Sequence, residues 1–89
     1  MNLYLIAAGQ TQGGCRLVAE GFPERQLERL KQALRSGPAV SAPRAGHDGR
    51  LIFEYEPHQS ENAIVLHTLA VARLLKARVC LRGVNLASA

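Results

Sequence analysis

The chain is predicted to fold as an α+β two-layer sandwich: a four- to five-stranded, mostly antiparallel sheet with two helices packed on one face. Three observations carry that expectation. Residues 63–75 are almost continuously apolar, with His67 and Thr68 the polar side chains at the centre of the run. That is too long for a typical strand and short of the ~20 apolar residues that span a bilayer, so it reads as a helix pressed against other structure. Residues 50–56 alternate, with Leu51, Phe53 and Tyr55 on one side and Ile52, Glu54 and Glu56 on the other, the period of a strand. Leu27, Leu30 and Leu34 recur at helical spacing opposite Arg25, Glu28, Arg29 and Gln32, which marks a one-faced amphipathic helix.

The elements follow in order. Residues 2–8, with Leu3, Tyr4, Leu5 and Ile6, suit a pleated surface, and residues 15–20 are again strand-like. The glycine-rich stretch between them closes a hairpin. Pro23 and Glu24 open the first helix, since proline fits the first turn and a carboxylate complements the dipole. Gly37 and Pro38 end it, Gly37 as the expected C-terminal cap. Residues 38–48 are expected to be a loop or a weak edge strand around 39–42, and His47-Asp48-Gly49 a tight turn. For residues 50–56 the core side should be Leu51, Phe53 and Tyr55, because burying unpaired Glu54 and Glu56 would cost more than exposing Ile52. Ser60 caps the second helix, expected to run to about Ala77. On its projection Ala63, Ile64, Leu66, His67, Ala70, Val71, Leu74 and Leu75 form the buried arc, and Glu61, Thr68, Arg73 and Lys76 the exposed strip. Residues 78–84 resume as a strand, and the tail from Asn85 is expected to fray.

The 89 residues allow one domain, residues 1–89, and leave no room for a catalytic subdomain. Eleven Lys and Arg oppose seven Asp and Glu, a formal charge of +4, which favours anionic partners without constraining the fold. No acidic residue follows Glu61, whereas Arg73, Lys76, Arg78 and Arg82 do. This set is either an anion-facing edge or a group of stems snorkelling around a helix end. Cys15 and Cys80 lack the spacing of a zinc site or a redox pair. With no basic start or cleavage pattern of a signal peptide, they are expected to be free, buried thiols in the cytoplasm, a Cys15–Cys80 bridge being the alternative for an exported chain, and no membrane association is expected.

Two local likenesses bear on function. Leu3-Tyr4-Leu5-Ile6-Ala7-Ala8-Gly9-Gln10-Thr11 resembles the first strand and loop of the histidine phosphatase family. Ala7 and Ala8 stand where that family has arginine and its phosphate-accepting histidine, so the likeness implies no catalytic residue here. Residues 3–6 and 49–55 also resemble the first and third strands of the RNA-recognition motif, which would make Tyr4, Phe53 and Tyr55 base-stacking positions. Here Phe53 and Tyr55 share a side with Leu51, and the opposite side presents Glu54 and Glu56, which repel phosphate.

His67 is either a base or metal ligand, or a core histidine bonded to a nearby oxygen. Glu54 and Glu56 have the two-residue spacing of some carboxylate pairs, but nothing near them sets their pKa values apart. No nucleophile, base and oxyanion set can be assembled, and no cofactor or metal is expected. The expected function is that of a non-enzymatic protein-interaction or regulatory module. It would use an open sheet face (Tyr4, Ile6, Ile52, Glu54, Glu56) or a sheet edge to bind a protein or a second copy. The alternative is a nucleic-acid binder using Arg73, Lys76, Arg78 and Arg82.

Overall fold

The computed structural model of the chain describes residues 1–7 and 14–83. The loop of the expected hairpin and the tail from residue 84 lie outside the described residues. Seven elements follow in order: β1 (Asn2–Ala7), β2 (Cys15–Glu20), α1 (Glu24–Leu34), β3 (Arg44–Ala45), β4 (Leu51–Glu54), α2 (Glu61–Leu75) and β5 (Arg78–Arg82). The strands form one mixed sheet in the order β3-β4-β2-β1-β5. All pairs are antiparallel except β1 with β5, which is parallel. Both helices cover one side of the sheet, giving the expected two-layer α+β arrangement.

The core is the layer between them. Leu3 and Leu5 of β1, Cys15, Leu17 and Ala19 of β2, and Phe53 and Tyr55 at β4 meet Leu30 and Leu34 of α1 and Ile64, Val65, Val71, Ala72 and Leu75 of α2 in one cluster. Each fully buried leucine or isoleucine there contributes roughly 1.5–3 kcal/mol, and aliphatic side chains supply most of the volume. The core side expected for β4 is the observed one.

Four local expectations are corrected. The buried face of α2 is rotated from its projection. Thr68, assigned to the exposed strip, is at 0% exposure, while Leu66 and Leu74, assigned to the buried arc, are 62% and 61% exposed. Ala63 and Ala70 are exposed as well. With apolar residues on nearly every side, hydrophobicity alone does not orient this helix. The buried threonine hydroxyl donates to the Ile64 carbonyl at 2.8 Å, so its polar group is satisfied within the helix.

Helix α2 also ends earlier than expected. Lys76 takes a left-handed conformation (φ 57°) and Ala77 N–H reaches the Ala72 carbonyl at 2.9 Å, a Schellman-type close. At the edge of the sheet, residues 39–42 contribute one bridge, Val40 to Tyr55, and the ladder itself falls at Arg44–Ala45. Pro38 and Pro43 on either side lack the N–H a longer ladder would need.

Gly37 is the fourth. Helix α1 ends on Arg35 in right-handed geometry, and Gly37 has no left-handed φ to provide. Its value is proximity: a Cβ there would lie 2.4–2.5 Å from three atoms of the His67 ring. The absent side chain lets the end of α1 close on the middle of α2.

Two predictions follow from this packing. Gly37→Ala should cost about 1–3 kcal/mol by forcing the imidazole aside. In a double-mutant cycle with His67→Ala most of that cost should vanish, measured by urea denaturation, and additive effects would refute the contact. The rotated helix predicts that Ile64→Ala costs about 2–5 kcal/mol whereas Leu66→Ala stays within about 0.5 kcal/mol. Similar losses for the two in thermal unfolding would restore the original projection.

Candidate functional site

The side of the sheet away from the helices carries no described helix, although Gly46 lies against the Ile52 side chain at its β4 end and Val18 is 8% exposed. Its side chains are the alternate residues of each strand, and the register aligns them in three rows. The middle row is Cys80, Tyr4, Val18, Ile52 and Arg44, each opposite its neighbour. On one side lies the row Arg82, Ile6, Arg16 and Glu54. On the other lie Arg78, Asn2 and Glu20, closed by the Arg50 guanidinium 2.5 Å from Glu20. Successive rows are two residues apart along the strands, about 6.7 Å.

The surface is therefore an apolar centre in a basic frame. Tyr4, Ile6 and Val18, with Arg50 and Arg82 at the margins, line a shallow depression of about 130 Å³. The five arginines of the rows, Arg16, Arg44, Arg50, Arg78 and Arg82, outnumber two carboxylates, Glu20 and Glu54. Glu54 takes Arg44 at 2.6 Å and Arg16 at 3.6 Å. Glu20 accepts from Asn2 Nδ2 and the Tyr4 hydroxyl, each at 3.2 Å, besides meeting Arg50. The Arg82 guanidinium lies 5.6 Å from the centroid of the Tyr4 ring, within cation–π range. Among the described residues, neither Arg78 nor Arg82 has a carboxylate within ion-pair distance. Exposed ion pairs of this kind stabilise little, so their effect is to fix side chains and set the potential of the surface.

Of the face expected from the sequence, Tyr4, Ile6, Ile52 and Glu54 are brought together, while exposed Glu56 lies past the last ladder residue of β4. The sequence reading missed Val18 and the arginines at 16, 44 and 50. Their signal was the alternation Arg16, Val18, Glu20, which becomes meaningful once the hairpin register is known. The expected picture of an open face dominated by carboxylates is corrected, because each carboxylate of the rows is matched by arginine. The alternative set divides: Arg73 and Lys76 belong to the end of α2, in the helix layer, and Arg78 and Arg82 to the opposite, open side of β5.

The other candidate groups are structural. Phe53 and Tyr55, which the RNA-recognition likeness would use for stacking, are buried at 2% and 4% exposure on the helix side. The Tyr55 hydroxyl lies beside Thr68 without reaching hydrogen-bond geometry, and burial pushes its pKa up. Burial, reinforced by the Glu61 carboxylate, likewise raises that of the Cys15 thiol. Both groups are thus held in their protonated, unreactive forms. His67 Nε2 is 3.4 Å from Ser36 Oγ, whose proton is committed to the Ala33 carbonyl at 2.8 Å. Nε2–H is then the donor, and Nδ1 is left as a buried acceptor without a partner. Among the described residues no carboxylate bonds the ring. Both thiols are free; Cys15 is buried as expected, whereas the expected burial of Cys80 is corrected, because it stands exposed on the open side of the edge strand β5. No group of three or more potential metal ligands occurs among the described residues, and no described helix is long and apolar enough to cross a membrane. No protein-family model, curated protein or solved structure matches the chain.

The Glu20 network carries a pH dependence. The Asn2 hydrogen bond first, then those of Tyr4 and the Arg50 charge, hold the Glu20 carboxyl below its ordinary value of 4.5 against a partial desolvation. A carboxyl whose folded pKa is depressed adds stability above the unfolded value and loses it as pH falls through the lower, folded one. Urea midpoints between pH 7 and pH 3 should therefore fall less steeply below about pH 4.5 in Glu20→Gln than in the native protein. Parallel acid limbs would show that the network does not couple to folding.

Proposed function

We propose that this domain is a non-enzymatic protein-interaction module whose working surface is the open face of the sheet. The observation that carries the reading is the contiguous apolar row Tyr4, Val18 and Ile52, with Ile6 beside it, framed by arginines on both sides. Protein interfaces have this anatomy, an apolar centre within a polar rim, and tyrosine and arginine are the residues that most often dominate their energetics. The sheet edges suit the role less well. The outer edge of β3 is two residues long beside Pro43, and β5 carries arginine at both ends, features that discourage strand addition.

Self-association through the open face is disfavoured by its net positive charge, since two copies would oppose like potentials. Nucleic acid is disfavoured because Tyr4 is the one aromatic of the described open face, Phe53 and Tyr55 being buried in the core, and stacking platforms need several. Neither buried group with a raised pKa is a ready nucleophile, which supports a role without catalysis. The unpaired thiols Cys15 and Cys80 fit a reducing compartment such as the cytoplasm.

Selection of peptides displayed in random sequence against the immobilised domain tests the reading. Enriched peptides should bind the native protein and lose roughly tenfold or more in affinity on Ile52→Lys or Tyr4→Ser, with circular dichroism unchanged. Equal binding to native and variant domains would discard the open face. So would an empty selection alongside low-salt retention of a single-stranded oligonucleotide.

A further inference from the structure

We infer that the partner of the open face is an acidic peptide segment built around one apolar anchor. This rests on the interaction reading above and specifies its ligand. The anchor, a large aliphatic or aromatic side chain, sits in the depression between Tyr4, Ile6 and Val18. Carboxylates on either side of it along the segment reach Arg82 on one rim and Arg78 on the other.

Three features of the surface select this ligand. The first is charge: five arginines in the rows against Glu20 and Glu54 leave a positive excess, and Arg78 and Arg82 lack carboxylate partners among the described residues. An acidic segment complements that field and a second copy of the domain opposes it. The second is spacing. Arg82 and Arg78 flank the middle row at Cys80, each two residues along β5. An extended segment laid along the strands places residues two before and two after its anchor at the same ~6.7 Å step. The ligand pattern is then acidic, any, apolar, any, acidic, with guanidinium–carboxylate pairs at both ends.

The third feature separates a peptide from a nucleic acid. Tyr4 is the only aromatic of the described open face, because Phe53 and Tyr55 are turned into the core, and its ring already lies beneath Arg82. A single strand stacks its bases on several rings, whereas a peptide needs one apolar seat and cations at its two ends.

Fluorescence anisotropy with labelled synthetic peptides tests this, with amide chemical shifts to locate the binding. The probes are Glu-x-Leu-x-Glu in a neutral flank, the same peptide with serine for leucine, the same with lysine for both glutamates, and an oligo-dT strand. The first should bind with shifts at Tyr4, Val18 and Cys80, and weaken as salt rises. Serine or lysine replacement should each weaken it roughly tenfold or more, as should Arg78→Glu with Arg82→Glu in the protein. Arg82→Gln, which only removes a charge, gives the same direction should the double reversal fail to fold. If the lysine peptide binds this face as tightly, the acidic assignment falls; if the serine peptide does, the apolar anchor falls; in either case the protein-binding face stands. If no peptide shifts the face, or if only oligo-dT does, both fall.

Discussion

Leu3 and Leu5 project from β1, the strand that pairs with β2 on one side and β5 on the other, and both are wholly buried. That placement is the constraint on which the rest depends. Because the side chains of a strand alternate, fixing Leu3 and Leu5 toward the helices sends Asn2, Tyr4 and Ile6 to the opposite side. The register of β1 with its neighbours then dictates which residues stand beside Tyr4. A slip of one residue would turn the leucines to solvent and bring the tyrosine into the core. The two layers of the protein and the composition of its open face are thus one structural decision.

The open face inherits its character from that decision. Its apolar residues are small in number and shallowly placed, and several arginines are held by carboxylates in the same or adjacent rows. Such pairs contribute little to folding and tie Arg16, Arg44 and Arg50 to carboxylates of the face. The helix side of the sheet behaves differently. There, ionisable groups are few, and Cys15 and Tyr55 are kept neutral by the surroundings that pack them. One sheet therefore separates an open, charged face from a dry interior.

Strongly periodic segments were legible in the sequence: the one-faced helix α1, the hairpin strands, the core side of β4 and the two-layer class. The orientation of α2 was not, because a helix apolar on nearly every side offers no contrast for a projection to use. What fixes its rotation is tertiary: the packing of Ile64, Val65, Val71, Ala72 and Leu75 in the core cluster and the His67 ring lying over Gly37, with the Thr68 hydroxyl satisfied locally so that it can be buried. Gly37 looked like a helix terminator from its position before Pro38, and only the approach of the second helix reveals it as a contact surface. Three arginines of the site were invisible for another reason. Arg16, Arg44 and Arg50 are scattered along the chain, and only strand register brings them beside Arg78 and Arg82, whose basic run was legible. The sequence did place Tyr4, Ile6, Ile52 and Glu54 on the open side, because alternation within single strands is local.

The parallel pairing of β1 with β5, in which the Arg78 N–H meets the Met1 carbonyl at 3.0 Å, bears on the order of assembly. Asn2 lies opposite Arg78, so one edge of β1 has no neighbour until the last strand described here arrives. Contacts between segments so distant in sequence require closing a large loop, which slows folding. Until β5 docks, the backbone donors and acceptors of an apolar strand remain available to other chains. In kinetic terms, the last strand works as a latch: it shields from aggregation the strand around which the protein is organised.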